Sequence, residues 1–160
     1  MTQSIVTKQT IDSMPGLDKT HFLNPRAKRN NKSLGDLAGL VNIGFHIIEL
    51  KPGAESTEFH KHYFEEECVY ILSGEATSII GSETEQVGAG DFIGYPAGGE
   101  AHMLRNTGTE ILRCIVVGQR LDHDVADYPE QNKRIYRNKG LAWDLVEIDH
   151  IENPNAGQKR

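Results

Sequence analysis

From Val41 onward, apolar and polar positions alternate in short runs that end at glycine or proline. Gly44-Phe45-His46-Ile47-Ile48-Glu49-Leu50 stops at Lys51-Pro52-Gly53, and a second run over residues 57–63 follows. Residues 67–72 close at Ser73-Gly74, residues 76–80 at Gly81-Ser82, and residues 85–87 lead into Gly88-Ala89-Gly90. Residues 92–95 stop at Pro96, residues 101–106 at Thr107-Gly108, and residues 111–117 at Gly118. A period of two marks strands with one buried face, and turn residues every roughly 8–12 positions mark an all-β sandwich or barrel. The 16 glycines gather at these turns and support that expectation. Residues 1–40 show no sustained 3.6-residue apolar period, so no helix-turn-helix module is expected there. After Gly118 the chain turns polar over residues 122–129. Ile135-Tyr136-Arg137 and residues 141–145 then predict short strands or loops packing outside the barrel, and residues 151–160 a frayed end. The expected organisation is an N-terminal extension (1–40), a β-barrel (41–118) and a C-terminal extension (119–160).

A chain of 160 residues can bury one core without disulfide staples. Its net charge of −6 speaks against a nucleic-acid partner, because phosphate backbones are bound by a basic face. The one basic cluster, Arg26-Ala27-Lys28-Arg29 with Lys32, reads as a solvated loop. No apolar run nears the roughly 20 residues a bilayer crossing needs, so no membrane partner is expected. The N-terminal residues carry no secretory pattern, and the cytoplasm is the expected compartment. The two cysteines, Cys68 and Cys114, lie in apolar runs, where small buried side chains are expected rather than a disulfide or a CxxC metal motif.

Candidate chemistry concentrates at His60, His62, Glu67 and His102. Residues i and i+2 of a strand face the same way, so His60 and His62 project together. Alone such a pair says little, since 7 histidines in 160 residues produce one by chance often enough. Glu67 strengthens it: it starts the next strand after the turn at residues 63–66, in phase with Val69 and Ile71. Glu65 and Glu66 read as solvated acids of that turn. His102 follows Pro96-Ala97-Gly98, a rigid turn with a permissive glycine that aims the strand inward. Three imidazoles and one carboxylate suit one divalent transition metal, Mn, Fe, Ni, Zn or Cu. Such a set leaves open positions on a six-coordinate ion for water or substrate. Protonation of the imidazoles is expected to weaken metal binding as pH falls toward about 6.

These residues resemble the cupin superfamily. Gly53, His60, His62, Glu67 and Gly74 fit its first motif, and Gly90, Pro96, Gly98, His102 and Asn106 its second. One extra residue stands between Gly53 and His60 and one between Gly98 and His102, both in turns. The flanks, Leu34-Gly35-Asp36 and Asp127-Tyr128-Pro129, are similar to those of small stand-alone bacterial cupins of unassigned role. The resemblance implies a double-stranded β-helix of jelly-roll type, commonly a homodimer. It also implies a small polar molecule that chelates the metal, with sugar or sugar-phosphate isomerisation as the leading activity. A non-haem dioxygenase and a non-catalytic small-ligand-binding cupin are the alternatives. An isomerase needs a base near the metal. Glu58, in phase with His60 and His62, and His46, in phase with Ile48 and Leu50, are the candidates. No cation for a phosphate is evident: Lys61 and Arg105 alternate out of phase with their histidine neighbours, and Arg113 has no assignable phase.

Overall fold

The computed structural model describes residues 3–154 and 157. In chain order its elements are α1 (Lys8–Ser13), β1 (Leu17–His21), β2 (Asn24–Ser33), α2 (Leu34–Ala38), β3 (Ile43–Leu50), β4 (Lys61–His62), β5 (Glu67–Ser73), β6 (Glu75–Ile80) and β7 (Glu83–Gly88). There follow β8 (Phe92–Tyr95), β9 (His102–Arg105), β10 (Leu112–Gln119), β11 (His123–Tyr128), β12 (Lys133–Asn138) and β13 (Asp144–Glu147), with 3₁₀ turns at Pro129–Gln131 and Ile148–His150. The strands form three antiparallel sheets ordered β1-β2-β3-β10-β5-β8, β13-β12-β11-β4 and β7-β6-β9. No helix among the described residues is long and apolar enough to cross a membrane.

The alternation along the central strands places the core. Val69 and Ile71 of β5 point in while Tyr70 points out, and Leu112 and Cys114 of β10 do the same beside them. They meet Ile48, Leu50, Ala76, Ile93, Tyr95 and Leu104, which closes a jelly roll between the six-stranded and three-stranded sheets. Gly74 turns the chain between β5 and β6 at φ +89°, and a Cβ there would lie 2.8 Å from the Ile111 carbonyl oxygen. Only glycine meets both conditions. Asn106 is fully buried, and its Nδ2 donates to the carbonyls of Leu50 and Glu110, each at 2.8 Å. Its Oδ1 accepts from Gly108 N–H at 3.1 Å, so this side chain ties the end of β3 to the loop between β9 and β10.

Residues 57–63 depart from the expected strand. Only Lys61–His62 joins a ladder, with isolated bridges Glu55↔Arg105 and His60↔His102. The segment is anchored instead through buried Glu55, whose carboxylate accepts from Asn24 Nδ2 at 2.7 Å and Arg105 Nη2 at 2.7 Å. The basic cluster is not a solvated loop either: it lies on β2, where Lys32 is buried and donates to the Ile11 carbonyl. The flanks are continuous with the sheets rather than merely resting on them. β2 pairs with β3, and β11 pairs with β4, the strand that carries His62. Residues 151–154 have no regular structure, and the rest of the expected frayed end, apart from Gly157, lies outside the described residues.

Candidate metal centre

Three separated stretches deliver the cluster. His60 and His62 straddle Lys61 at β4, Glu67 opens β5, and His102 opens β9 opposite His60. His102 N–H donates to the His60 carbonyl at 2.7 Å, which locks the two backbones together. Gly98 N–H donates to the His62 carbonyl at 2.9 Å and ties the turn before β9 to the first histidine pair.

The Nε2 atoms of His60 and His62 stand 3.1 Å apart. The ligand atoms of His60, His62 and Glu67 all lie within 4.8 Å of one another. His102 falls outside that tightest group, yet its ring centroid is 4.7 Å from that of His60. It lies flat on Tyr95, with 3.6 Å between centroids and 6° between planes.

Each imidazole is held by its far nitrogen. His60 Nδ1 meets the Glu58 carbonyl at 2.9 Å, His62 Nδ1 meets Asp124 Oδ2 at 2.7 Å, and His102 Nδ1 meets the Glu100 carbonyl at 3.2 Å. An acceptor at every Nδ1 keeps the proton there and leaves each Nε2 a bare lone pair. Two such lone pairs 3.1 Å apart repel, and the buried His102 Nε2 has no hydrogen-bond partner at all. A cation among them removes both penalties, so the four residues fit a divalent transition metal. Burial, together with the neighbouring imidazoles, holds His60 well below the usual histidine range, and burial takes His102 down to about 4. The loss of metal binding expected near pH 6 therefore moves lower for these two ligands. Burial raises the Glu67 carboxyl, so protonation of the anionic ligand competes earlier than its residue type suggests.

Asp124 and Arg137 escape a reading of the sequence. They are register partners on β11 and β12, and Arg137 Nη2 donates to Asp124 Oδ2 at 2.5 Å and also to Glu65. Glu65 is thus not a solvated turn acid: it is buried and also accepts the Leu121 N–H at 2.9 Å. Hydrogen bonds and the Arg137 charge hold Asp124 well below the usual carboxylate range despite its burial. His62, Glu65 and Asp124 also converge closely enough for a metal, but the Arg137 guanidinium already supplies the cation between the two carboxylates. The alternation Asp124-Ala126-Tyr128, all buried on β11, is the signal that could have exposed Asp124.

The cluster opens on a cavity of about 420 Å³, whose walls include His21, Arg29, His46 and Tyr128. His46 therefore faces inward as its phase predicts, 3.3 Å from Asn31 Nδ2 through its Nδ1. Glu58 does not line this cavity. It is buried beside Gln131 and Asn24, in a stretch that bends rather than continuing as a strand.

A profile of the cupin domain matches residues 46–118. A curated relative from Thermotoga maritima, called an oxalate-binding protein, is 30% identical over 118 residues, covering 71% of this chain and 88% of that protein. A crystal structure from Acidithiobacillus ferrooxidans, provisionally named a sugar phosphate isomerase, is 50% identical with a TM-score of 0.91, covering 94% of this chain and 96% of that one. A sugar phosphate isomerase of the cupin superfamily from Silicibacter pomeroyi shares the fold at 23% identity, with a TM-score of 0.79 and coverage of 91% and 95%. The chain belongs to the cupin superfamily.

Proposed function

We propose that the protein is a metal-dependent isomerase acting on a sugar phosphate. The carrying observation is that the ligand cluster opens on a cavity of about 420 Å³ that holds two further imidazoles, His21 and His46. That volume falls within the roughly 300–1,000 Å³ of pockets that enclose small organic ligands. The Acidithiobacillus ferrooxidans protein, similar over nearly the whole chain, supports the same substrate class.

His60, His62, Glu67 and His102 would hold the ion. When bound, it supplies Lewis acidity that polarises the carbonyl and neighbouring hydroxyl of a hydroxy-carbonyl substrate. Asp124 keeps His62 in the tautomer that presents Nε2, while Arg137 keeps Asp124 ionised and in place. Burial leaves His21 neutral, with its conjugate acid pushed down to about 4, and lowers His46 as well. Both imidazoles line the cavity outside the ligand cluster and are the groups available to carry a proton between adjacent carbons.

The test is proton NMR of the metal-loaded protein with a panel of aldose and ketose phosphates in D₂O without oxygen. The expected result is aldose–ketose interconversion with deuterium entering beside the carbonyl, and its loss when the metal is chelated. Turnover that requires O₂ would favour a dioxygenase instead. The second reading, a non-catalytic binder of a small dicarboxylate, is favoured by the Thermotoga maritima relative. Tight calorimetric binding of oxalate with no turnover of any sugar phosphate would select it.

A further inference from the structure

We propose that Arg29, with Lys19 and Asn31 beside it, forms an oxyanion subsite on the cavity wall built by the β1–β2 hairpin, and that it seats the substrate's phosphoryl group. The identity of the anion as a phosphoryl group rests on the sugar-phosphate reading above. The subsite itself rests on the following geometry.

Lys19 and Arg29 are direct register partners, so two cations share one face of an antiparallel pair, and both line the cavity. Like charges placed opposite one another destabilise a sheet, and such a pairing calls for an anion. The other cationic side chains of the cavity already have one. Arg120 meets Asp36 Oδ1 at 2.5 Å, and Arg137 meets Asp124 and Glu65. Among the described residues Arg29 and Lys19 form no ion pair. Arg29 donates through Nη1 to the Ser56 carbonyl, but its Nε is buried without a partner. Burial pushes its guanidinium down, and the one nearby charge opposing that push is Glu67. A divalent ion on Glu67 would take up that carboxylate's charge and leave Arg29 wanting another.

The remaining groups suit an oxyanion. Asn31 is buried two residues along the same face of β2, and its Nδ2 is a donor beside His46. A guanidinium with a free Nε–H gives paired donors that match phosphate oxygens, and half-burial strengthens each bond. A ligand anchored here while its carbonyl end reaches the histidines would span the cavity. A carboxylate offers related chemistry, so the test separates the two.

Inorganic phosphate, and separately oxalate, is titrated calorimetrically into the protein as purified with its metal and after chelation. The expected result is phosphate binding in both states, weakened roughly tenfold or more by Arg29→Gln and by a few-fold in Lys19→Gln, with metal content unchanged in both variants. Lys19 is exposed, so Lys19→Gln keeps its fold even if Arg29→Gln does not. Phosphate affinity indifferent to both substitutions, or phosphate binding that disappears with the metal, overturns the subsite. So does oxalate bound more tightly than phosphate by the metal-free protein in an Arg29-dependent way. Arg29-dependent phosphate binding without turnover of any sugar phosphate upholds the subsite and removes the isomerase. Sugar-phosphate turnover whose KM ignores Arg29→Gln does the reverse.

Discussion

His62 differs from the other two imidazoles in what grips its far nitrogen. His60 and His102 lean on backbone carbonyls, whereas His62 leans on a carboxylate that is itself clamped by Arg137. Substituting Asp124→Asn should lower metal affinity about 10–100-fold, because the ring loses the carboxylate that fixes its tautomer and orientation. Competition against a chromophoric chelator measures this, and unchanged affinity would show that Asp124 is only structural. Burial of His102 gives a second expectation, for the metal-free protein. Above pH ~6.5 the ring is neutral whether folded or unfolded. As pH falls toward 4 the unfolded chain takes up a proton that the buried ring refuses, so stability falls by about 3 kcal/mol at this site and levels off below. His60 acts in the same direction, while the raised Glu67 carboxyl opposes it by favouring the fold at low pH. Urea midpoints between pH 7 and 4 should drop in the metal-free protein, and less steeply in His102→Ala; equal slopes contradict this. At this scale the sequence is legible where phase and motif coincide, as at Glu67. It is silent where a partner is remote: Glu65 looks solvated because the arginine that buries it lies 72 residues away.

The strands of the barrel announce themselves because one face of each meets an apolar core and the other meets solvent. The β1–β2 hairpin does not, since its inward face lines a polar cavity. Asn24-Pro25-Arg26-Ala27-Lys28-Arg29-Asn30-Asn31-Lys32-Ser33 carries almost no apolar alternation for a reader to find. β11 is masked differently, because Asp124 and Asp127 are buried in it against His62 and Arg134. The segment before His60 misleads in the other direction: its phase suggests a strand, while residues 56–59 run as bends behind the buried, ion-paired Glu55. Asn106 shows what joins the elements. Asn106→Ala should destabilise the fold by about 2–3 kcal/mol, because buried carbonyls of Leu50 and Glu110 lose their donor. Chemical denaturation measures the change, and a loss below about 0.5 kcal/mol would show that water replaces the side chain.

The whole molecule is a cupin barrel whose flanks complete its cavity. The N-terminal hairpin contributes Lys19, His21 and Arg29, and the C-terminal sheet contributes Tyr128 and Arg137. The family resemblance, carried by residues 46–118, makes the barrel and the ligand positions legible. It says nothing of walls supplied from outside that span. The four side chains converge only in the folded chain, so an ion held by them should raise the melting temperature, by the equivalent of about 2.7 kcal/mol when free metal stands at a hundred times its Kd, and chelation should lower it again. A melting curve unmoved by chelation would mean that the four side chains bind no ion.

Elemental analysis of the protein purified without an affinity tag, alongside His60→Ala and His102→Ala, tests the central claim most directly. The expected result is about one divalent transition-metal ion per chain in the native protein and a sharp loss in each variant. Undiminished stoichiometric metal in both variants would contradict it.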